Sequence, residues 1–286
     1  MRIANLSGRL VLVTPDGGHA LDVSRASAGR FNSDPQQIYD HWPEFSAWAS
    51  SADLSEATPF SHSDLGPPAP APKQVFAIGL NYRAHAAEAH FDVPQEPTVM
   101  FTKWPSCLTG PVTTVELPAG GHTDWEVEMV VVIGQPTHRI DEAAAWEVVA
   151  GVTVGQDLSE RIMQASGPSP QFSLAKSLPG FGPTGPWVVT PDELDDRDDL
   201  ELGCAINGEQ MQKGRTRDCV FSVPVLISWL SHKLPLLPGD LLFTGTPAGV
   251  GMGRTPARFL APGDELVSHI AGVGELRQRF VATSTI

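Results

Sequence analysis

Two glutamates stand two residues apart at the start of the most apolar stretch of the chain. The stretch reads DWEVEMVVVI and runs from Asp124 to Ile133. Because successive side chains of a β-strand point to opposite faces, a strand here places Glu126 and Glu128 on one face. Two carboxylates held together beside apolar surroundings repel each other unless a cation lies between them. Taken alone, the pattern fits a solvated acidic edge strand better than a metal site, so the metal interpretation needs support from elsewhere.

A third acidic residue follows a second predicted strand. Asp157 comes directly after the apolar segment 151–155, and oxygen ligands of this kind suit Mg²⁺, Mn²⁺ or Ca²⁺. Arg161 and Gln164 follow at steps of four and three residues, so a helical turn would aim all three side chains the same way. Arg161 could then hold a substrate carboxylate through two hydrogen bonds. The Gly- and Pro-containing segment 162–170 fits a mobile lid over a site and a plain surface loop equally well.

A histidine and a glutamate form the next candidate pair. His85 and Glu88 lie three residues apart after Asn81, which is a candidate N-cap, so they share one face of the predicted helix. A carboxylate beside an imidazole orients the ring and raises its basicity, as a general base requires. An ordinary exposed helix pair is the more common outcome for this pattern. Only proximity to a metal site would favour the catalytic interpretation.

Two further segments contain candidate ligand-binding residues. Lys176 lies in a segment rich in small and apolar residues, where it is either buried beside carboxylates or, as is usual for lysine, solvated. The segment 244–251 reads TGTPAGVG and lacks the Gly-Lys-Ser/Thr ending of a phosphate loop, which excludes nucleotide binding of that type. Its glycines would instead let backbone amides and the Thr246 hydroxyl approach a small, oxygen-rich ligand.

The composition limits the classes of partner and the compartment. The chain has 286 residues, a formal net charge of -14 and 41% hydrophobic residues, which is enough for a sizeable core. The acidic balance opposes binding to nucleic acid or to an anionic membrane surface, so a small molecule is the expected partner. The three cysteines have neither CxxC spacing nor an even count, which indicates reduced thiols. We therefore expect a cytoplasmic protein without a transmembrane segment.

The order of elements predicts two parts. Residues 1–72 contain a short strand, a helix and a Pro-rich connector, and they are expected to form a small N-terminal α/β domain. Residues 73–286 contain many short strands and few helices, among them a hairpin at Asn207-Gly208 and a helix over 222–233. Regular alternation of strands and helices is absent, so the fold class is mainly β, of the α+β type.

Six blocks of the chain, taken in order, resemble the fumarylacetoacetate hydrolase family in its shorter bacterial and mitochondrial form. The resemblance covers about residues 73 to 275. The blocks are GLNYRAHAAE (79–88), MFTKWPSCLTGP (100–111), DWEVEMVVVIG (124–134), VAGVTVGQDLSER (149–161), KSLPGFGPTGPWVVT (176–190) and PGDLLFTGTPAGVG (238–251).

The resemblance implies a fold, a metal and a set of site residues. It implies a β-sandwich roll catalytic domain, a homodimer, and Mg²⁺ or Mn²⁺, with Ca²⁺ possible in its place. The implied metal ligands are Glu126, Glu128 and Asp157. The implied catalytic residues are His85 and Glu88, which activate water, and Lys176. The implied substrate-binding residues are Arg161, Gln164, Thr246 and Lys103.

The resemblance also implies an activity. The expected function is a metal-dependent hydrolase that cleaves a carbon–carbon bond in a 2,4-dioxo acid, such as an acylpyruvate, or in a related 1,3-dicarbonyl. An oxaloacetate-type decarboxylase and a 2-hydroxy-dienoate isomerase are alternatives on the same site. A ureidoglycolate-type lyase and a non-catalytic metal- or ligand-binding protein are less favoured. Leu80 and Ile162 stand where many relatives have Arg and Asp, which predicts a substrate with a larger or more apolar arm than a short dicarboxylate.

Overall fold

The computed structural model describes residues 1–283, and most of its regular structure is β-strand. The strands are β1 (Arg2–Leu6), β2 (Arg9–Val13), β3 (His19–Asp22), β4 (Thr58–Pro59), β5 (Leu65–Gly66), β6 (Val75–Ile78), β7 (Met100–Thr102), β8 (Leu108–Thr109), β9 (Val112–Leu117), β10 (Thr123–Asp124), β11 (Val127–Ile133), β12 (Val149–Gln156), β13 (Ser159–Glu160), β14 (Gly182–Val189), β15 (Glu201–Ile206), β16 (Glu209–Arg215), β17 (Leu241–Phe243), β18 (Glu265–Ile270) and β19 (Gly274–Ala282). The α-helices are α1 (Val23–Ala26), α2 (Trp42–Ala49), α3 (Arg83–Glu88), α4 (Arg161–Ala165), α5 (Phe172–Ala175) and α6 (Val223–Ser231). The prediction of a mainly β architecture is confirmed.

Two sheets make up most of the fold. The larger sheet has the strand order β4-β3-β2-β1-β14-β12-β11-β17-β6-β7, with β5 paired to β1 and β8 paired to β14. The second sheet has the order β16-β15-β18-β19-β9, and β10 pairs with β13 in a short ribbon. Apolar side chains from both sheets belong to one buried cluster, which includes Val131 of β11 and Leu276 of β19. The sheets therefore pack face to face, as in a sandwich.

Strand β11 is buried on both faces, which explains its uninterrupted apolar sequence. Val131 packs into the core between the two sheets, whereas Val130 and Val132 pack into a second cluster that includes Tyr39 and Phe45. A strand covered on both faces needs apolar residues at every position rather than at alternate ones. Glu126 directly precedes this strand, and Glu128 is its second residue.

The N-terminal segment shares the large sheet with the rest of the chain. Strand β1 pairs antiparallel with β14, and Arg2 lies opposite Val189. The Tyr39 hydroxyl donates a hydrogen bond to the carbonyl of Pro68 in the Pro-rich connector. Residues 1–72 therefore do not form a separate sheet, and the division of the chain at residue 73 stays a prediction.

Two predicted local elements are present in the structure. Strands β15 and β16 form a hairpin in which Ile206 lies opposite Glu209, and Asn207 and Gly208 have φ angles of 52° and 83°. Both central residues thus adopt the left-handed region that a two-residue turn of this type requires. Helix α6 follows Ser222 at the N-cap and has a proline in its first turn. The predictions of the hairpin and of this helix are confirmed.

The predicted N-cap of helix α3 is wrong. Tyr82, not Asn81, occupies the N-cap position of α3. The Asn81 amide instead donates to the carbonyls of Phe221 and Thr244, so it connects three loops of the tertiary structure.

Among residues 1–283, no helix combines the length and the apolar character that crossing a bilayer requires.

The close approach of β12 and β14 depends on a glycine. A Cβ atom at Gly151 would overlap the Val189 carbonyl oxygen and the Val188 side chain. We expect Gly151→Ala to lower the free energy of unfolding by about 1–3 kcal/mol, because overpacking forces the neighbouring strand to move. Gly18→Ala is the matched control, since its Cβ would meet only ordinary contacts. Urea denaturation followed by circular dichroism compares the two, and equal midpoints would contradict the close packing.

Candidate metal centre

Three carboxylates meet where β11 begins and β12 ends. The two strands are antiparallel and Val127 lies opposite Gln156, so the residue before β11 faces the residue after β12. Those residues are Glu126 and Asp157, and the Asp157 amide donates to the Glu126 carbonyl at 2.9 Å. Glu128 lies two positions further along β11. One carboxylate oxygen of each of the three residues lies within 4.8 Å of the others, and all three residues are buried.

Two cations partly offset the charge of this cluster. The Lys176 ammonium donates to Glu126 Oε2 and to Asp157 Oδ2, both at 2.7 Å. The Arg161 guanidinium donates to Glu126 Oε1 at 2.6 Å. Burial disfavours the ionised form of Glu126, but Lys176 and Arg161 outweigh burial and hold the pKa of this carboxyl well below its usual range. Burial likewise opposes the charge of Lys176, while Asp157 and Glu126 raise the pKa of its ammonium.

Glu128 is the least compensated member of the cluster. Its carboxylate accepts a hydrogen bond from the Gly245 amide at 2.7 Å. Burial, followed by the negative charges of Asp157 and Glu126, raises the pKa of Glu128 well above its usual value. A divalent cation would remove this conflict, because three oxygen ligands would then share its charge. The residues present therefore fit a hard divalent ion such as Mg²⁺ or Mn²⁺.

The predicted His85–Glu88 pair lies next to the carboxylate cluster. His85 Nδ1 is 3.4 Å from Glu88 Oε2, and a protonated imidazole here would be near enough to Glu126 to favour the ionised form of that carboxyl. The Gly249 amide donates to both Glu88 carboxylate oxygens, at 3.0 and 3.1 Å. His85 is buried on its helix, and Glu88 is half-buried. Helix α3 and the loop that follows β17 thus hold the pair in place, near Glu126 of the candidate metal ligands.

Arg161 and Gln164 lie on helix α4 and contact each other, as the spacing predicts, whereas Asp157 lies before β13 and is not part of that helix. Arg161 Nη1 donates to Gln164 Oε1 at 2.9 Å, while its other nitrogens are directed to carboxylates. Thr246 is also buried beside the cluster, but its hydroxyl donates to the Val127 carbonyl and accepts from the Gln212 amide. Its only hydroxyl proton is therefore used at the start of β11, which leaves Thr246 no donor for a substrate.

The role predicted for Lys103 needs a correction. Its side chain is fully buried, and its ammonium donates to Asp157 Oδ1 at 2.8 Å, to the Phe181 carbonyl at 3.2 Å and to the Lys176 carbonyl. An ammonium has three donors, so none remains for a substrate. Lys103 instead holds the Asp157 carboxylate in place through a buried ion pair. The sequence shows a lysine here but not the burial that changes its role.

Asp124 is a site residue beyond those that the sequence patterns predict. Its Oδ2 pairs with Arg161 Nε at 2.9 Å, and its carboxylate accepts from the amides of Gly251 at 2.6 Å and Met252 at 3.0 Å. The side chain is fully buried. A signal for it exists in the sequence, because the two-residue period that relates Glu126 to Glu128 extends back to Asp124.

Loss of one carboxylate should weaken metal binding. Glu128→Gln keeps the size of the side chain but removes one of three anionic ligands, so we expect the dissociation constant for Mn²⁺ to rise by more than about tenfold. Isothermal titration calorimetry on metal-free protein measures this change. Glu56→Gln is the control, because Glu56 is exposed and lies in a different part of the fold. Equal affinities of the two variants would contradict the assignment of Glu128 as a ligand.

The corrected role of Lys103 makes a separate prediction about stability. Lys103→Met removes one of the two ammonium groups that pair with the buried Asp157 carboxylate, and it also removes a donor from the Lys176 and Phe181 carbonyls. We therefore expect a loss of about 3 kcal/mol in the free energy of unfolding. Lys73→Met is the matched control, because the Lys73 ammonium is exposed and lies 3.9 Å from an exposed Asp40. Urea denaturation of metal-free protein compares them. A loss no larger than that of Lys73→Met would show that the buried pair is dispensable.

Comparisons with known proteins agree with this site. The family model described as fumarylacetoacetate (FAA) hydrolase C-terminal matches residues 74–281. A crystal structure from Mycobacterium smegmatis, provisionally named an HpcE protein, is 56% identical, has a TM-score of 0.93, and the match covers 99% of this chain and 100% of that one.

Two more distant structures have named activities. Maleylpyruvate hydrolase from Sphingobium sp. SYK-6, solved with manganese(II) and pyruvate, is 28% identical with a TM-score of 0.80 over 99% of this chain and 100% of that one. The 5-carboxymethyl-2-hydroxymuconate delta-isomerase from Mycobacterium smegmatis is 28% identical with a TM-score of 0.77 over the full length of both chains. The structural neighbours thus include a hydrolase and an isomerase. Because the family model matches most of the sequence and the fold agrees over nearly its whole length, the chain belongs to the fumarylacetoacetate hydrolase family.

Proposed function

We propose that the protein is a divalent-metal-dependent hydrolase that cleaves a carbon–carbon bond in a 2,4-dioxo acid, such as an acylpyruvate, or in a related 1,3-dicarbonyl. The observation that carries this proposal is the position of the His85–Glu88 pair near Glu126, which forms a buried cluster with Glu128 and Asp157. A base next to a cation site is the arrangement that activates water for attack on a carbonyl.

The donor set and one relative support the metal and the substrate class. Three buried carboxylates suit Mg²⁺ or Mn²⁺, and the Sphingobium hydrolase was solved with manganese(II) and pyruvate, a 2-oxo acid. When bound, such an ion would supply a Lewis acid that polarises the adjacent oxygens of a 2,4-dioxo acid. We extend the proposal to a small oxo acid as the partner and to a homodimer as the assembly.

The residues of the chain account for the proton transfers. His85 takes a proton from water, and Glu88, held by the Gly249 amide, orients the imidazole and stabilises its positive charge. The resulting hydroxide attacks the carbonyl carbon remote from the acid end. The bond between that carbon and the neighbouring methylene then breaks, and His85 returns the proton to the methylene carbon. The products are a carboxylate and a 2-oxo acid.

Lys176 has the position to stabilise charge during this reaction. Its ammonium lies between Glu126 and Asp157, and the neighbouring carboxylates keep it protonated. A fixed ammonium in a site shielded from water stabilises negative charge that develops on substrate oxygens. The same lysine holds the two carboxylates in place before any substrate binds.

Isomerisation is the second candidate, and a structural neighbour favours it. The Mycobacterium smegmatis delta-isomerase matches the full length of this chain. If His85 moved a proton between two carbon atoms of the substrate instead of taking it from water, the site would perform a double-bond or keto–enol isomerisation. Decarboxylation of a β-oxo acid needs no activated water at all. We favour hydrolysis because a histidine oriented by a carboxylate has its clearest use in activating water.

The reaction can be tested by the loss of ultraviolet absorbance from a panel of 2,4-dioxo acids and oxaloacetate in the presence of Mn²⁺. We expect cleavage of a dioxo acid by the wild type, loss of activity in Glu126→Ala, and a decrease in kcat/KM of on the order of 10²–10⁴ in His85→Ala. His138→Ala is the control, since His138 is exposed and outside the site. Circular dichroism verifies that each variant folds.

Two results would contradict the hydrolase proposal. Activity on oxaloacetate alone that persists in His85→Ala would identify a decarboxylase, with the pair demoted to a structural role. Conversion of a 2-hydroxy-dienoate without formation of two products would identify an isomerase. Mass analysis of the products separates these outcomes, because hydrolysis adds one water molecule and divides the substrate in two.

A further inference from the structure

Two aromatic rings form a wall beside the candidate catalytic lysine. The Lys176 ammonium lies 5.1 Å from the centre of the Phe101 ring, and the Phe101 and Phe172 rings meet edge to face with centres 5.5 Å apart. Phe101 belongs to β7 and Phe172 begins α5, the helix that ends just before Lys176. Both rings are half-buried. An apolar surface therefore continues outward from the charged cluster.

The chain segments that supply the site also have apolar side chains that are exposed to solvent. Ile162 directly follows Arg161 and is 50% exposed, and Leu174 stands two residues before Lys176 and is 53% exposed. Isolated exposed apolar residues need no explanation, but a group of them around one site does. Most of the large exposed apolar side chains within residues 1–283 come from the segments that supply the site: Phe91, Met100, Trp104, Ile162, Leu174 and Met252.

The cations at the site are already engaged by carboxylates. Lys103, Lys176 and Arg161 each donate to at least one carboxylate of the cluster. Four carboxylates face these three cations: Asp124, Glu126, Glu128 and Asp157. A divalent ion would leave this group with one positive charge, which the carboxylate at the oxo-acid end of a substrate neutralises. A second substrate carboxylate would find no uncompensated cation within the cluster.

We infer that the site selects oxo acids whose second arm is a hydrocarbon chain or an aromatic ring, held against Phe101, Phe172 and Ile162, rather than an arm that ends in a second carboxylate. The inference rests on the proposed function for the position of the oxo-acid head. The inferred specificity concerns the arm of the substrate, which lies outside the metal centre. The apolar wall binds the arm by excluding water, while the charged cluster binds the head.

A matched pair of non-cleavable ligands tests the inference by binding. 2-Oxohexanoate and 2-oxoadipate have the same number of carbon atoms and differ in the terminal group, a methyl or a carboxylate. Isothermal titration calorimetry on the Mn²⁺-loaded protein should give at least tenfold tighter binding of 2-oxohexanoate. Equal binding, or tighter binding of 2-oxoadipate, would overturn the inference. A matching comparison of kcat/KM uses 2,4-dioxooctanoate and 2,4-dioxooctanedioate.

Two variants should change this selectivity in a predicted direction. Phe172→Arg places a cation on the wall, so we expect it to lose the preference for 2-oxohexanoate and to gain affinity for 2-oxoadipate. Ile162→Arg does the same at a position that is 50% exposed, on helix α4, which packs against α5, so it tests the inference with little disturbance of the core. Val281→Arg is the control, because Val281 is an exposed apolar residue of β19. Wild-type selectivity in both Phe172→Arg and Ile162→Arg would overturn the inference.

Sedimentation velocity distinguishes a substrate-binding wall from an interface between two copies of the chain. If Ile162→Arg converts a dimer to a monomer and keeps the wild-type ligand preference, the apolar residues form such an interface and the inference is wrong. If no dioxo acid is cleaved but 2-oxohexanoate remains the tighter ligand, the inference stands and the hydrolase proposal fails. The binding measurement requires no turnover, so the two failures are distinguishable.

Discussion

The ammonium of Lys176 between Glu126 and Asp157 is the interaction on which the rest of the site depends. Buried charges are costly, and a buried pair is stable only when geometry and further hydrogen bonds are good. Here Lys176 bridges Asp157 at the end of β12 and Glu126 at the start of β11. Lys103 forms a second buried ion pair with Asp157. The two strands would otherwise place like charges side by side. The same contacts hold the carboxylates in position before an ion binds, which lowers the cost of arranging ligands around it.

The fold separates the rigid part of the site from the part that selects the substrate. The carboxylates stand at the ends of β11 and β12, which are central strands buried on both faces, so backbone movement there would disturb two apolar cores. The apolar wall is built from α4, α5 and β7, which are short elements near the surface. Changes in these elements alter the shape of the entrance without moving the metal ligands. One fold can therefore support related reactions on different oxo acids.

Local patterns in the sequence predicted the parts of the site that depend on local geometry. The two-residue period placed Glu126 and Glu128 on one face, and the Asn207-Gly208 turn specified its hairpin. The resemblance implies substrate binding for Lys103 and Thr246, since a sequence shows that a side chain has a donor but not which atoms accept from it. The partner of Lys103 lies 54 residues along the chain. Which donors remain free is decided by tertiary packing, and a resemblance transfers residue types rather than these hydrogen bonds.

The loop after β17 contacts both the proton-accepting pair and the residues that position the metal ligands. The Gly249 amide donates to Glu88, and the Gly251 and Met252 amides donate to Asp124, which in turn holds Arg161 against Glu126. A single short segment of backbone thus fixes the carboxylate that orients the base and the carboxylate that positions the arginine. Backbone amides suit this task because they have no side-chain rotamers to lose. The distance between the proton-accepting pair and the metal ligands is therefore set by the path of this loop, and not by α3 alone.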